Sequence, residues 1–147
     1  MHYAEFFKPF FHSIVMREFS VKSQQREQMI DITEMVQKAI THSGVSRGIA
    51  VVYVPHTTAG ITINEGADPD VQRDIITTLA RHIPKDGNFY HIEGNSDAHI
   101  KSSLLGCSQT VIITDGRVLL GTWQRIFFVE CDGPRTRRVF VEIIGTD

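Results

Sequence analysis

Three short stretches of the chain hold most of the side chains able to do chemistry. "HTTAGITINEGAD" brings His56, Thr57, Thr58, Asn64, Glu65 and Asp68, and "YHIEGNSDAHIKSS" brings His91, Glu93, Asp97, His99, Lys101 and Ser102. "GTWQR" and "DGPRTRR" add Trp123, Gln124, Arg135, Arg137 and Arg138. Neutral imidazoles at His56, His91 and His99 suit a shared divalent metal, with Glu93 or Asp97 as a further ligand or as the group that orients one. Zinc or a zinc-like ion fits such nitrogen donors, with magnesium as the alternative.

Each of these residues also has a plainer duty open to it. A loop histidine is commonly a surface group, or a buried one satisfied by backbone. Asp68 precedes Pro69 and reads as a helix cap, and Asp70 then complements the positive end of that helix. Glu65 has no such duty, which makes it the better candidate for general acid–base or metal work. The arginines suit bidentate phosphate binding, or a solvated turn. Arg137 and Arg138 must point to opposite sides of a strand, so at most one of them enters a given site. Trp123 reads as core or interface.

Regular elements must position these groups. From 13 to 22, Val15, Phe19 and Val21 alternate with Glu18, Ser20 and Lys22, the period of a half-buried strand. "DITEMVQKAITHSG" carries Ile32, Met35, Val36, Ala39 and Ile40 on one helical stripe, with Asp31 and Glu34 spaced as a capping box and Gly44 at the left-handed end. "RGIAVVYVP" is apolar on both faces and predicts a central strand covered on both sides. A second helix begins at Asp68-Pro69 and buries Val71, Ile75, Ile76 and Leu79. "TVIITDGRVLL" predicts a hairpin turning at Asp115-Gly116. "RIFFVECDGPRTRRVFVEIIG" predicts another, turning at Asp132-Gly133-Pro134. Its Ile126, Phe127, Phe128 and Val129 need cover on both faces, which suggests a second copy. The three polar clusters are expected in loops where these elements end. The order of elements indicates a single α+β domain with mixed and antiparallel strands and flanking helices.

Composition narrows the function classes. The 147 residues are 41% apolar and carry a net charge of −2, so bulk electrostatics offers nothing to nucleic acid. The sequence contains no eighteen-residue apolar run to span a membrane. "MHYAEFFKPFFHSIVM" lacks the small-residue cleavage site of a signal peptide. Cys107 and Cys131 stand apart, as buried free thiols of a cytoplasmic protein would.

"HTTAGITINEGADPDVQRDI", "NFYHIEGNSDAHIKSSLLGCS" and "GTWQRIFF" together resemble the YjbQ family, an uncharacterised protein family also described as secondary thiamine-phosphate synthases. The resemblance runs from about residue 13 to the end, leaving 1–12 as an N-terminal extension. It implies an α+β fold assembled as a homotrimer. It also implies a transferase activity that joins a pyrimidine diphosphate to a thiazole phosphate, giving thiamine phosphate and pyrophosphate. Within that reading Glu65, Asp97 and Lys101 are the catalytic candidates and His56, His91 and His99 the metal ligands. Thr57, Thr58, Asn64, Ser102, Gln124 and Arg135 would bind substrate or phosphate. Two alternatives remain beside it: a metal-dependent phosphoester hydrolase, and a non-enzymatic trimer that holds a small anion or metabolite.

Overall fold

The computed structural model describes residues 13–146, so the extension at 1–12 lies outside the described residues. The strands are β1 (Ile14–Lys22), β2 (Gln28–Asp31), β3 (Gly48–Tyr53), β4 (Ala59–Glu65), β5 (Ser108–Thr114), β6 (Arg117–Val118), β7 (Gln124–Glu130) and β8 (Thr136–Gly145). The helices are α1 (Thr33–Ser43), α2 (Pro69–His82) and α3 (Ser96–Leu105). A five-stranded sheet runs β1-β8-β3-β5-β6 and a three-stranded sheet runs β2-β7-β4. Every pairing is antiparallel. Among the described residues no helix is long and apolar enough to cross a membrane.

The core lies between the two sheets. Val139, Val141, Ile143, Ala50, Val52, Val111 and Ile113 face it from the larger sheet, and Ile61, Ile126 and Phe128 from the smaller. Val36, Ala39 and Ile40 of α1 join the same cluster, as the helical stripe predicts. The alternate residues of β7, Phe127 and Val129, point the other way and pack on Ala98 of α3 and on Cys131. The strand's second face is therefore covered by its own chain, not by a second copy. The reverse holds for β3. Ala50 and Val52 are sealed, but Ile49 and Tyr53 are exposed, so this strand is covered on one side only. Exposed Ile14, Met16 and Ile112 lie on other strands of the same sheet.

Local signals set several boundaries as expected. Asp115 and Gly116 both have positive φ, 52° and 72°, and close the β5–β6 hairpin as a type I′ turn requires. Gly44 ends α1 in the left-handed region at φ 73°. Asp68 accepts the Asp70 amide at 2.9 Å, with Pro69 opening α2 behind it. The capping box of α1 does not form. Ile32 occupies the cap position, Asp31 accepts the Thr33 amide, and Glu34 meets Arg125 instead.

Two further expectations fail. The segment after Glu130 is not a hairpin turn, because β7 pairs with β2 and β4 while β8 pairs with β1 and β3. Residues 131–135 carry the chain from one sheet to the other, pinned by the Arg135 amide on Ser23 Oγ at 2.8 Å and the Ser23 amide on the Arg135 carbonyl at 2.9 Å. The second polar cluster is not all loop, since "SDAHIKSSLL" forms α3.

Candidate functional site

Helix α3 organises the chemistry, and ionic bonds hold it in place. Asp97 is fully buried and accepts both Arg26 guanidinium nitrogens at 2.9 Å. Lys101, one turn on and 2% exposed, donates to Asp97 at 2.9 Å and also to Glu27. Two cations and two carboxylates balance. Burial alone would raise the Asp97 pKa, but the bonds from Arg26 and Lys101 outweigh it and hold the carboxyl at about 2. Asp97 and Lys101, expected as catalytic groups, spend their hydrogen-bonding capacity on each other and on the loop before β2. They position α3 rather than face a ligand. The i, i+4 spacing of Asp97 and Lys101, with Gly106 just beyond, was the available signal for this helix. Nothing local in the sequence singled out Arg26 and Glu27, some seventy residues away.

A second buried pair fixes the strand end beside it. Arg137, 5% exposed, bonds Glu130 through two nitrogens at 2.9 and 2.6 Å and donates to Thr58 Oγ1 at 2.8 Å. Ser23 Oγ completes the Glu130 shell at 2.9 Å. Thr58, expected to bind substrate, is therefore part of the scaffold. Arg138 points outward onto Glu18, the opposite side from Arg137, as strand geometry requires. Its backbone N–H donates to His56 Nε2 at 2.9 Å. Partial burial and then the Arg137 cation lower the His56 pKa. The imidazole is thus neutral, with its Nε2 lone pair occupied and its proton on Nδ1.

On the outer side of α3 the groups stand free. The rings of His91 and His99 meet edge to face with centroids 5.6 Å apart, and Glu93 Oε2 lies 3.7 Å from His91 Nε2. His99 opens onto a cavity of about 500 Å³ that Thr57, Ser102, Ser103, Gly106 and Cys107 also line. Cys107 is exposed, contrary to expectation, whereas Cys131 is buried and its thiol pushed up to about 12 by burial. Ser102 turns its hydroxyl inward to the Ala59 carbonyl at 2.7 Å. Gly60 makes this docking possible, because a Cβ there would strike the Gly106 carbonyl at 2.8 Å and Leu105 Cβ at 2.9 Å. A larger cavity of about 680 Å³ lies around Ile49, Ile112 and Leu119 and contains none of the three clusters.

The remaining predicted residues lie elsewhere. His56 and Thr57 precede β4, while Asn64 and Glu65 end it, with Gln124 directly opposite Glu65. Six residue steps separate Ala59 from Glu65, roughly 20 Å of strand. Glu65 Oε2 is shut off from solvent with no hydrogen-bond partner. Asn64 accepts its neighbour's amide, and Gln124 accepts the Gly121 amide at 2.8 Å. Trp123, 63% exposed, is no core residue of this chain. Arg135 is exposed and paired with Asp132 at 3.0 Å, and Asp132 in turn accepts Asn95 at the start of α3. His91 and His99 are therefore brought together, and His56 is engaged elsewhere. Among the described residues no group of three or more His, Cys, Asp or Glu stands ready to hold a metal ion within one chain.

Comparison with known proteins places this arrangement in company. Residues 17–146 match a family model described as UPF0047 protein YjbQ-like. A UPF0047 protein of Methanocaldococcus jannaschii is 63% identical over 128 residues, covering 87% of this chain and 93% of that one. UPF0047 protein YugU of Bacillus subtilis is 46% identical over 132 residues, covering 89% of this chain and all of its own. A crystal structure of a YjbQ/UPF0047 protein from Clostridium acetobutylicum superposes with a TM-score of 0.85 at 60% identity, covering 86% of this chain and 98% of that one. A YbjQ-like protein of unknown function from Sulfolobus solfataricus gives 0.88 at 32% identity, covering 91% and 99%.

Proposed function

Since the chain belongs to the YjbQ-like UPF0047 family, we propose that it is a metal-dependent transferase for phosphorylated small molecules, able to make thiamine phosphate. The observation that carries this reading is the His91–His99 pair beside Glu93, with His99 lining an open cavity. Imidazole nitrogens are donors that zinc-like ions favour, and Glu93 beside His91 would orient that ring rather than complete a three-donor set. His91 and His99 would hold the ion, which would supply positive charge to a developing pyrophosphate.

The chain's own groups do the rest. Thr57 would offer its hydroxyl along the cavity wall to phosphate oxygens, while Ser103 Oγ donates to the His99 carbonyl at 2.8 Å. Arg135 is the candidate guanidinium, tethered through Asp132 and Asn95 to the start of α3. Lys101 acts at one remove: with Asp97 it fixes the helix turn that presents His99. Preorganised charge of this kind often supplies most of the rate enhancement in such a reaction. A homotrimer in the cytoplasm completes the reading, and light scattering should return three times 16.6 kDa.

Zinc content and product formation test it together. The protein dialysed against zinc should retain about one ion per chain and release pyrophosphate from a pyrimidine diphosphate and a thiazole phosphate. His99→Ala should lose both. A wild-type protein that retains no zinc, or a His99→Ala variant that retains as much, overturns the metal reading.

A further inference from the structure

The geometry points to a second binding site, apart from the His99 cavity, that takes a single-tailed aliphatic carboxylate on the outer face of the five-stranded sheet. The site is the cavity of about 680 Å³ around Ile49, Ile112 and Leu119, a size that suits a small organic ligand. Its floor is a row of aliphatic side chains in register. Ile49 of β3 lies directly opposite Ile144 of β8 on one side and Ile112 of β5 on the other. Ile14 of β1 pairs with Ile144 and extends the row past it. Leu119, whose amide donates to the Ile112 carbonyl at 2.8 Å, extends it at the other end. Directly paired residues share a face of the sheet, so the row points outward as a unit. Ile14, Ile112 and Leu119 are 65%, 55% and 54% exposed. Neighbouring strands lie roughly 4.8 Å apart, so the row crosses the sheet in a straight line of roughly 19 Å.

The row is one residue wide. Two residues along each strand, the next outward row is Met16, Glu142, Val51 and Thr110, and the Glu142 carboxylate interrupts it. A long, narrow apolar row bounded by polar groups matches an extended hydrocarbon tail better than a broad protein surface. On its other side the cavity wall carries Ser46, Arg47, Thr114, Asp115 and Thr146. The Arg47 backbone carbonyl accepts the Thr146 amide at 2.9 Å and its hydroxyl at 3.2 Å, which fixes this loop against the end of β8. The Arg47 side chain is exposed, and among the described residues no carboxylate pairs with it. A guanidinium at the rim of an apolar trough selects an anionic head, and its planar fork matches a carboxylate. Asp115, at the β5–β6 turn, repels the same head and confines it to the Arg47 side.

Calorimetric titration with dodecanoate tests the site. The wild type should bind it saturably, and shortening the tail to decanoate and then octanoate should weaken binding roughly two- to fourfold per methylene. Arg47→Gln should weaken binding roughly two- to fivefold. Asp115→Asn, which suits the left-handed turn, should bind at least as tightly as the wild type. Ile112→Glu should abolish binding, with Leu119→Glu in its place should the first variant unfold at a lower temperature than the wild type. Absence of saturable binding, or affinity that ignores tail length, overturns the site. Equal affinity for dodecyltrimethylammonium removes Arg47 as the selecting group and overturns the carboxylate. Sedimentation with phosphatidylglycerol vesicles, without uptake of free dodecanoate, would make the row a membrane-contact surface instead. If the wild type takes up no dodecanoate and Ile112→Glu lowers its mass by light scattering, a second copy covers the row and the proposal is wrong.

Discussion

Helix α2 leaves its apolar stripe half-exposed: none of Val71, Ile75, Ile76 or Leu79 is buried. Helix α3 buries Asp97, Lys101 and Ser102 beside a single apolar residue, Ala98. The helix with the greasy face lies at the surface, and the helix with the charged face lies against the core. Ionic satisfaction explains α3. A buried charge is tolerated when it is paired and hydrogen-bonded, and here two carboxylates meet two cations. Apolar burial holds α2 weakly, through Ile76 against Phe127, Val129 and their neighbours. The consequence is positional. An ion-paired helix has few acceptable placements, which suits one that presents His99, whereas a helix held by half-buried aliphatics is free to serve as a surface.

The largest effect should follow from breaking the α3 network. Asp97→Asn keeps the shape but leaves Arg26 and Lys101 short of a negative partner, and should cost about 3–5 kcal/mol in urea unfolding. Ser103→Ala, exposed on the same helix, should change stability by less than about 0.5 kcal/mol. If Asp97→Asn were equally mild, the network would not be what holds α3.

Acid gives a second measure of the same carboxylate. The Asp97 pKa falls from the usual 3.8 to about 2 on folding. A lowered folded pKa means a contribution fully present above about pH 4 and lost as pH falls through about 2, worth roughly 2 kcal/mol. Glu130, whose pKa is also lowered, adds with the same sign. Unfolding free energies at pH 5, 4, 3 and 2 should therefore drop more steeply for the wild type than for Asp97→Asn. Parallel curves would remove Asp97 as the source.

Helix α2 should respond less. Ile76→Ala removes a half-buried side chain and should cost about 1–2 kcal/mol, below the range for a buried isoleucine. A cost nearer 4 kcal/mol would mean that the stripe is covered in the assembled protein and that the contrast with α3 belongs to the isolated chain alone.

The same contrast marks how far the sequence could be read. Elements set by period or by local caps and turns were legible: β1 from alternation, α1 and α2 from their stripes, the β5–β6 hairpin from Asp115-Gly116. α3 was not, because its inward face is charged and an apolar pattern cannot report it. The supposed hairpin at 132–134 failed because a turn signal says that the chain bends, not which strand it next joins. The site was legible as composition but not as assignment. Asp97, Lys101 and Thr58 looked functional because their partners Arg26, Glu27 and Arg137 are remote in sequence. His56 looked like a ligand until the Arg138 amide, 82 residues on, was found at its nitrogen. The approach of His91 to His99 depended on α3, so it became visible only with the fold.

The smallest effect should come from the start of α2, where the local signal and the fold agree. Asp68 accepts the Asp70 amide at 2.9 Å, satisfying one of the amides that the first turn leaves open. Its negative charge also faces the positive end of the helix. Asp68→Ala should cost about 1 kcal/mol, and Asp68→Asn, which keeps the acceptor without the charge, about half of that. Both substitutions leave α3 and its ion pairs untouched, so each loss should add to that of Asp97→Asn in the double variant. If instead the loss in the double variant departs from the sum, the start of α2 would be coupled to the ion pairs of α3 rather than independent of them.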